Sequence, residues 1–137
     1  NMGVASYNVA ASVSLITAQR LVRRLCEQCR EPASVSPDAL LRAGLPEQAL
    51  PDSTARVYLP RGCSQCHKGF KGRTGIFQVM PVSSAMQSLI LQEAGTPALE
   101  ALATREGMRS LREAGLRQVL AGVTSLDEVL AATREQA

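Results

Sequence analysis

Aromatic residues are scarce in this sequence: they make up 3% of the 137 residues, and tryptophan is absent. Alanine, leucine and valine therefore have to fill any core, which favours helices packed at short range. No uninterrupted apolar run approaches the roughly 20 residues that span a bilayer, and the first twenty residues lack the basic and apolar regions of a signal peptide. We expect a cytoplasmic protein without direct membrane insertion, in which paired cysteines bind metal more often than they form disulfides.

Patterns that carry catalysis are also missing. The single histidine limits acid–base schemes, and no paired carboxylates or Ser/His/Asp set stands out. The phosphate-loop pattern G-x-x-x-x-G-K-S/T occurs nowhere, because "GFKGRTG" has its lysine before the glycine and is followed by a strand pattern. A net charge of +3 without a basic stripe interleaved with aromatics does not predict nucleic-acid binding. We therefore expect no catalytic residue within this chain.

All four cysteines fall into two matching pairs, CEQC with Cys26 and Cys29, and CSQC with Cys63 and Cys66. A C-x-x-C turn places two thiolates on one edge of a tetrahedron, and two such turns close a zinc site that has no open position for water. This pattern predicts structural Zn²⁺. The alternatives are disulfides or a thioredoxin-like redox pair. His67 follows Cys66 directly, and we expect it to remain outside the ligand set.

The first half of the chain combines one amphipathic segment with two strand candidates. The apolar positions Leu15, Ala18, Val22 and Leu25 follow helical spacing and predict a helix over residues 11–25. Strands are predicted at residues 55–60 and 74–80. A short helix is predicted near residues 37–43, with Ser36 as its cap and Gly44 as its stop.

After Pro81 the sequence predicts three or four helices. Ser83 or Ser84 caps the first, and Thr96 followed by proline opens the second. "SLRE" and "SLDE" both match the capping box, in which a serine and a glutamate satisfy free backbone donors. The fold class is therefore mainly α with a small β element, ending in a compact helical bundle. We expect this bundle to keep its helices when metal loss unravels residues 30–74.

Several of these motifs together resemble one family, the bacterial type II secretion and type IV pilus assembly ATPases (the GspE/PilB family). The similarity lies in "QRL" leading into Cys26, the tetracysteine set, "KGRTGI" and the closing "GVTSLDEVL". It covers essentially the whole chain, and the run from Cys66 to Arg73 is closer to pilus assembly than to secretion. Gln78 departs from the family pattern, which commonly has glutamate there.

The resemblance implies a fragment of a hexameric cytoplasmic motor that docks on inner-membrane pilus or secretion platform proteins. Residues 1–25 would be the terminal helix of a RecA-like core, residues 26–80 the zinc subdomain and residues 81–137 the C-terminal helical subdomain. ATP and Mg²⁺ would bind only in the full-length parent, so the fragment alone would be inactive. The alternative is a stand-alone zinc-bearing interaction module with no motor attached.

Lys71 and Arg73 lie in a glycine-rich run between the second cysteine pair and a predicted strand. A solvated basic turn is the simpler interpretation. The more specific hypothesis is that Arg73 contacts nucleotide or an acidic surface of a neighbouring subunit, since the planar fork of arginine suits phosphate and carboxylate.

Overall fold

The computed structural model describes residues 14–134, which form two small sheets and five helices. The strands are β1 (Ser14–Leu25), β2 (Glu31–Val35), β3 (Ala55–Leu59) and β4 (Phe70–Pro81). The helices are α1 (Pro37–Ala43), α2 (Ser84–Leu91), α3 (Thr96–Arg105), α4 (Leu111–Leu120) and α5 (Leu126–Ala132), with a 3₁₀ turn at Glu47–Ala49. None of the helices in this part of the chain is long and apolar enough to cross a bilayer.

The predicted helix over residues 11–25 is wrong. Its first three residues lie outside the described part, and the remainder forms the 12-residue strand β1, which pairs with β4. Of the proposed apolar stripe, Val22 and Leu25 are buried, but Leu15 is 48% exposed. The partner strand begins 45 positions after β1 ends, so the pairing that satisfies this backbone is invisible to local spacing.

The second sheet pairs β2 and β3 in antiparallel register, with Ala33 opposite Val57. The strand predicted at residues 55–60 is confirmed as β3, and the strand predicted at residues 74–80 lies inside β4. The strand β2 was not predicted. It contains Pro32, which removes one backbone donor and is tolerated in an edge strand.

The helix predictions from capping residues are confirmed at their N-termini. The Oγ atoms of Ser36, Ser83, Ser110 and Ser125 each accept the backbone N–H three residues further on, at 3.0–3.2 Å. Helix α1 has the bounds predicted for it, Pro37–Ala43, and Gly44 is its C-cap. Because a capping bond joins residues three apart, the local sequence is sufficient to place these helix starts.

The described residues form two compact units. The first contains residues 14–18 and 78–109, with helices α2 and α3 packed together around Met86 and Ala103, both fully buried. The second contains residues 19–77 and 110–134, including the four cysteines, the sheet of β2 and β3, and helices α1, α4 and α5. The helices predicted after Pro81 are thus divided between the two units. The division of the chain into three domains, at residues 1–25, 26–80 and 81–137, stays a prediction.

The core of the second unit joins its helices to the cysteine-bearing segment. Its fully buried side chains include Leu40, Leu45, Ile76, Leu111, Leu116, Val119 and Val129. Helices α4 and α5 approach closely at Gly115, where an added Cβ would lie 2.6 Å from Cγ1 of Val129 and 3.1 Å from Cδ1 of Ile76. A glycine at this point therefore sets the distance between the two helices and β4.

Arg112 is the largest buried polar group in this core, and its guanidinium links the ends of two helices. Its Nη1 donates to the carbonyl of Ala43 at 2.7 Å, at the end of α1. Its Nε and Nη2 donate to Oγ1 and the carbonyl of Thr133, at 2.6 and 3.1 Å, just after α5. A cation at helix C-termini is favourable because the carbonyl groups there are negative ends of peptide dipoles.

Candidate metal centre

The first cysteine pair directly follows β1, whose end is held by the turn between α4 and α5. The backbone N–H of Leu25 donates to the carbonyl of Val123 at 2.9 Å, and Oγ1 of Thr124 donates to the carbonyl of Arg23 at 2.7 Å. On the other side of the pair, Arg30 donates to the carbonyl of Gly122 at 2.6 Å. These bonds on both flanks fix where the first pair sits.

An ion pair adds a side-chain contact to the same strand end. Arg23 stacks on the ring of Phe70 with its Cζ 4.0 Å from the ring centroid, and its Nη2 lies 2.7 Å from Oε2 of Glu128. The hydrogen bond from the Arg23 side chain lowers the pKa of the Glu128 carboxyl below its ordinary value, against partial desolvation. The contact therefore stabilises the fold at neutral pH and weakens as acid protonates Glu128.

The second cysteine pair lies between β3 and β4, in a segment that closes at Gly69. The N–H of Gly69 donates to Sγ of Cys66 at 3.3 Å, and its carbonyl accepts the N–H of Cys26 at 2.9 Å. Its φ is +97°, and an added Cβ would lie 2.5 Å from Cβ of Pro60. Gly69 therefore joins the two pairs through its backbone, in a position that has no room for a side chain.

The four sulfur atoms form one cluster in which all Sγ atoms lie within 4.8 Å of one another. The distances are 3.8 Å for Cys26–Cys63, 3.7 Å for Cys29–Cys66 and 3.6 Å for Cys63–Cys66. A tetrahedron with metal–sulfur bonds of about 2.3 Å has edges of about 3.8 Å. The donor set fits a tetrahedral metal ion with no fifth position to fill.

Backbone donors around the cluster favour negatively charged sulfur. The N–H groups of Gly62 and Gln65 point at Sγ of Cys29 and Cys63, at 3.3 and 3.4 Å, in addition to the bond from Gly69 to Cys66. Such N–H···S contacts orient the ligands and offset part of their charge. These donors were not predicted from the sequence; the signals that could have indicated tight turns there are the glycine just before Cys63 and the glycine three positions after Cys66.

The thiols influence one another's ionisation. Desolvation acts to raise the pKa of Cys66, but backbone hydrogen bonds and the neighbouring thiols lower it to about 7. For Cys63 the N–H of Gln65 acts to lower the pKa, but desolvation and the hydrogen bonds with the other thiols raise it to about 11. Cys66 thus ionises near neutral pH, whereas Cys63 keeps its proton. A metal ion that needs four thiolates competes with protons for the sulfur atoms, so acid weakens its binding.

All four thiols are free, so no disulfide joins them in this structure. Burial differs across the cluster: Cys26 is 1% exposed, Cys29 and Cys66 are half-buried, and Cys63 is exposed. His67 contributes no atom to the group of metal-capable side chains in residues 14–134, and it pairs through its backbone with Phe70.

The basic run that follows the second pair belongs to β4. It was predicted as a turn, but the strand begins at Phe70 and includes both Lys71 and Arg73. Gly72 between them has a φ of +80°, so the extended backbone is interrupted there. Both cationic side chains are exposed, and Lys71 shares a shallow polar depression with Arg24, beside the first cysteine pair.

The four converging thiols define a candidate metal centre, and the sequence relatives give the family of the chain. The family described as Type II/IV secretion system protein matches residues 1–131. The chain belongs to this family, which confirms the resemblance found in the sequence motifs.

Individual relatives come from both branches of that family. The Type IV pilus assembly ATPase PilB of Acinetobacter baylyi is 42% identical over 135 residues, which cover 98% of this chain and 23% of the relative. The protein of the same description from Pseudomonas aeruginosa is 41% identical, with 98% and 24% covered. The Type II secretion system protein E of Aeromonas hydrophila is 39% identical, with 98% and 26% covered. The chain thus spans about a quarter of the length of these curated relatives.

Proposed function

We propose that this chain is the C-terminal zinc-binding and helical part of a hexameric cytoplasmic ATPase that powers type IV pilus assembly or type II secretion. The sulfur cluster is the observation that carries the proposal, because four converging thiols would suit a structural metal ion. The family membership and the relatives named as ATPases support the motor. Pilus assembly is the favoured branch, in line with the run from Cys66 to Arg73.

In this role the chain would stabilise its part of the motor and contact neighbouring subunits or partner proteins. Cys26, Cys29, Cys63 and Cys66 would hold one Zn²⁺, which ties the two turns together and performs no step of ATP hydrolysis. Tetrahedral sulfur sites also suit iron, so metal analysis of the purified chain decides the identity of the ion. ATP and Mg²⁺ would be bound by other parts of the full-length protein, and the partners would be neighbouring subunits and inner-membrane platform proteins.

The purified chain is expected to show no ATP turnover above background, with or without zinc, because it has no phosphate-binding loop. The full-length protein, assayed in parallel, is expected to hydrolyse ATP. Turnover by the isolated chain would overturn the assignment of nucleotide binding to other parts of the protein. A full-length reading frame without the phosphate-loop pattern would instead favour the stand-alone interaction module.

Within the motor, Arg73 is proposed to contact nucleotide or an acidic surface of a neighbouring subunit. Its side chain is exposed, and no hydrogen bond or ion pair to it is found among residues 14–134. An arginine that is held on a strand and projects into solvent is available for a bidentate contact with phosphate or carboxylate.

Replacing Arg73 with alanine in the full-length protein is expected to lower the ATPase rate or hexamer stability roughly threefold to tenfold, the effect of about 1 kcal/mol of lost contact energy. Zinc content should not change. Lys71→Ala is the matched control, since it removes a neighbouring exposed cation from the same strand. If Arg73→Ala assembles and hydrolyses ATP like the parent, Arg73 is only a solvated surface cation.

A further inference from the structure

The differences in exposure within the sulfur cluster have a chemical consequence. Cys63 is the exposed member of the four, and Cys26 is almost fully shielded from solvent, at 1% exposure. Small oxidants react at the sulfur that they reach first, so thiol oxidation follows exposure as well as thiolate character. Cys63 is therefore the cysteine of this cluster that is most accessible to a peroxide.

Three sulfur pairs are almost equally close, so distance alone does not select the partner of Cys63. Its separations from Cys66 and Cys26 are 3.6 and 3.8 Å. Cys66 belongs to the same turn, with its N–H directed at the carbonyl of Cys63 at 3.4 Å. A Cys63–Cys66 bond therefore forms by local movement, whereas a bond to Cys26 requires displacing a buried residue whose N–H is held by Gly69.

We propose that Cys63 and Cys66 form a site of reversible oxidation by hydrogen peroxide, in which they close a disulfide and remove two of the four metal ligands. The thiolate of one cysteine of the pair attacks one peroxide oxygen, the O–O bond breaks, and the departing hydroxide takes up a proton as water. The thiolate of the other cysteine then attacks the sulfur of the resulting sulfenic acid, the S–O bond breaks, and the departing hydroxide is protonated to a second water. One peroxide is reduced to two waters while the two sulfurs together lose two electrons.

Metal release follows from the ligand count. After the second pair has closed, only Cys26 and Cys29 can still serve as ligands, and two ligands do not complete a tetrahedral site. Reduction by a dithiol restores both thiols and the capacity to bind metal. This release step rests on the proposed zinc site, whereas the prediction that Cys63 pairs with Cys66 depends only on the arrangement of the four thiols.

The sequence makes the test direct, because trypsin cleavage separates the two pairs. Cleavage at the flanking Arg and Lys residues places Cys26 and Cys29 in one peptide, LCEQCR, and Cys63 and Cys66 in another, GCSQCHK. The metal-loaded and metal-free chains are treated with limiting hydrogen peroxide, remaining thiols are alkylated in denaturant, and the digest is measured by mass spectrometry. Metal release is followed in parallel with a chromogenic chelator, and untreated chain is the control.

The expected result is an internal disulfide in GCSQCHK at least about fivefold more abundant than one in LCEQCR, with metal released in proportion and rebound after reduction. Preferential oxidation of LCEQCR, or predominance of cross-links between the two peptides, would overturn the proposal. If the purified chain holds no metal yet keeps the amide protection of α4 and α5, the zinc site fails while the peptide ratio in the folded metal-free chain still decides the oxidation site. Oxidation in that peptide without metal release would leave the disulfide assignment standing and overturn the release step.

Discussion

Replacing Cys26 with serine is expected to reduce metal content from one ion per chain to a small residue, below about a tenth, since a closed tetrathiolate site depends on all four ligands. The same variant should lose most of the ordered structure between the two cysteine pairs. Residues 30–62 supply only Leu40, Leu45 and Val57 to the buried apolar core. Ligation must therefore provide folding free energy that burial in this segment does not.

The structure extends this prediction beyond the segment between the cysteines. Because Val123 and Gly122 are hydrogen-bonded to the flanks of the first pair, metal loss should also reduce amide protection in α4 and α5. This changes the expectation from sequence, in which all helices after Pro81 kept their structure. Helices α2 and α3, in the other unit, should keep theirs. Hydrogen exchange measured by mass spectrometry distinguishes these regions.

His67→Ala is the matched control for Cys26→Ser. It alters a side chain next to Cys66 that takes no part in the sulfur cluster, so metal content and helix protection should match the parent. Full metal content in Cys26→Ser would contradict the four-ligand site. Unchanged protection of α4 and α5 in a metal-free Cys26→Ser would contradict the link between the metal site and these helices.

Arg112→Ala is expected to lower the free energy of unfolding by at least about 3 kcal/mol. Hydrogen bonds to charged groups contribute roughly 1.5–3 kcal/mol each, and buried acceptors left without a donor add a penalty. The change removes three such bonds, to Ala43 and Thr133, and leaves a cavity where the buried side chain was. Urea unfolding of the metal-loaded chain measures the loss.

Arg117 provides the comparison, since it lies on the same helix and is 41% exposed. Its ion pair with Glu113 is of the i,i+4 type, so Arg117→Ala should cost only about 0.3–0.5 kcal/mol. Arg112→Lys should fall between the two, because an ammonium keeps the charge but not the fork that reaches both helix ends. Equal stabilities of Arg112→Ala and Arg117→Ala would show that the buried guanidinium contributes nothing beyond a surface arginine.

The sequence was sufficient for features that depend on residues close together in the chain. Each serine cap acts on an amide three residues away, so α1, α4 and α5 begin where the sequence predicted. The two C-x-x-C turns likewise indicated four converging ligands, although their spacing does not identify the ion. These features are local, and their physical cause is contained in a few consecutive residues.

Features that depend on distant partners were missed. Strand β1 has apolar residues at helical spacing, yet its pairing with β4 decides its conformation. The sequence around Arg112 does not distinguish it from an exposed arginine on a surface helix. Only the approach of Ala43 and Thr133 in three dimensions makes it a buried connection between helix ends.

Gly69 is a position at which a substitution would disturb the sulfur cluster without changing any cysteine. Its backbone holds Cys26 on one side and Cys66 on the other, and a side chain at this position would collide with Pro60 and with the N–H of Arg61. A variant chain that keeps all four cysteines but carries a larger residue here has an intact ligand pattern and a disrupted cluster. We therefore expect that genome surveys based on cysteines alone would include chains without the proposed metal site, and that C-x-x-C-x-x-G is the more specific pattern.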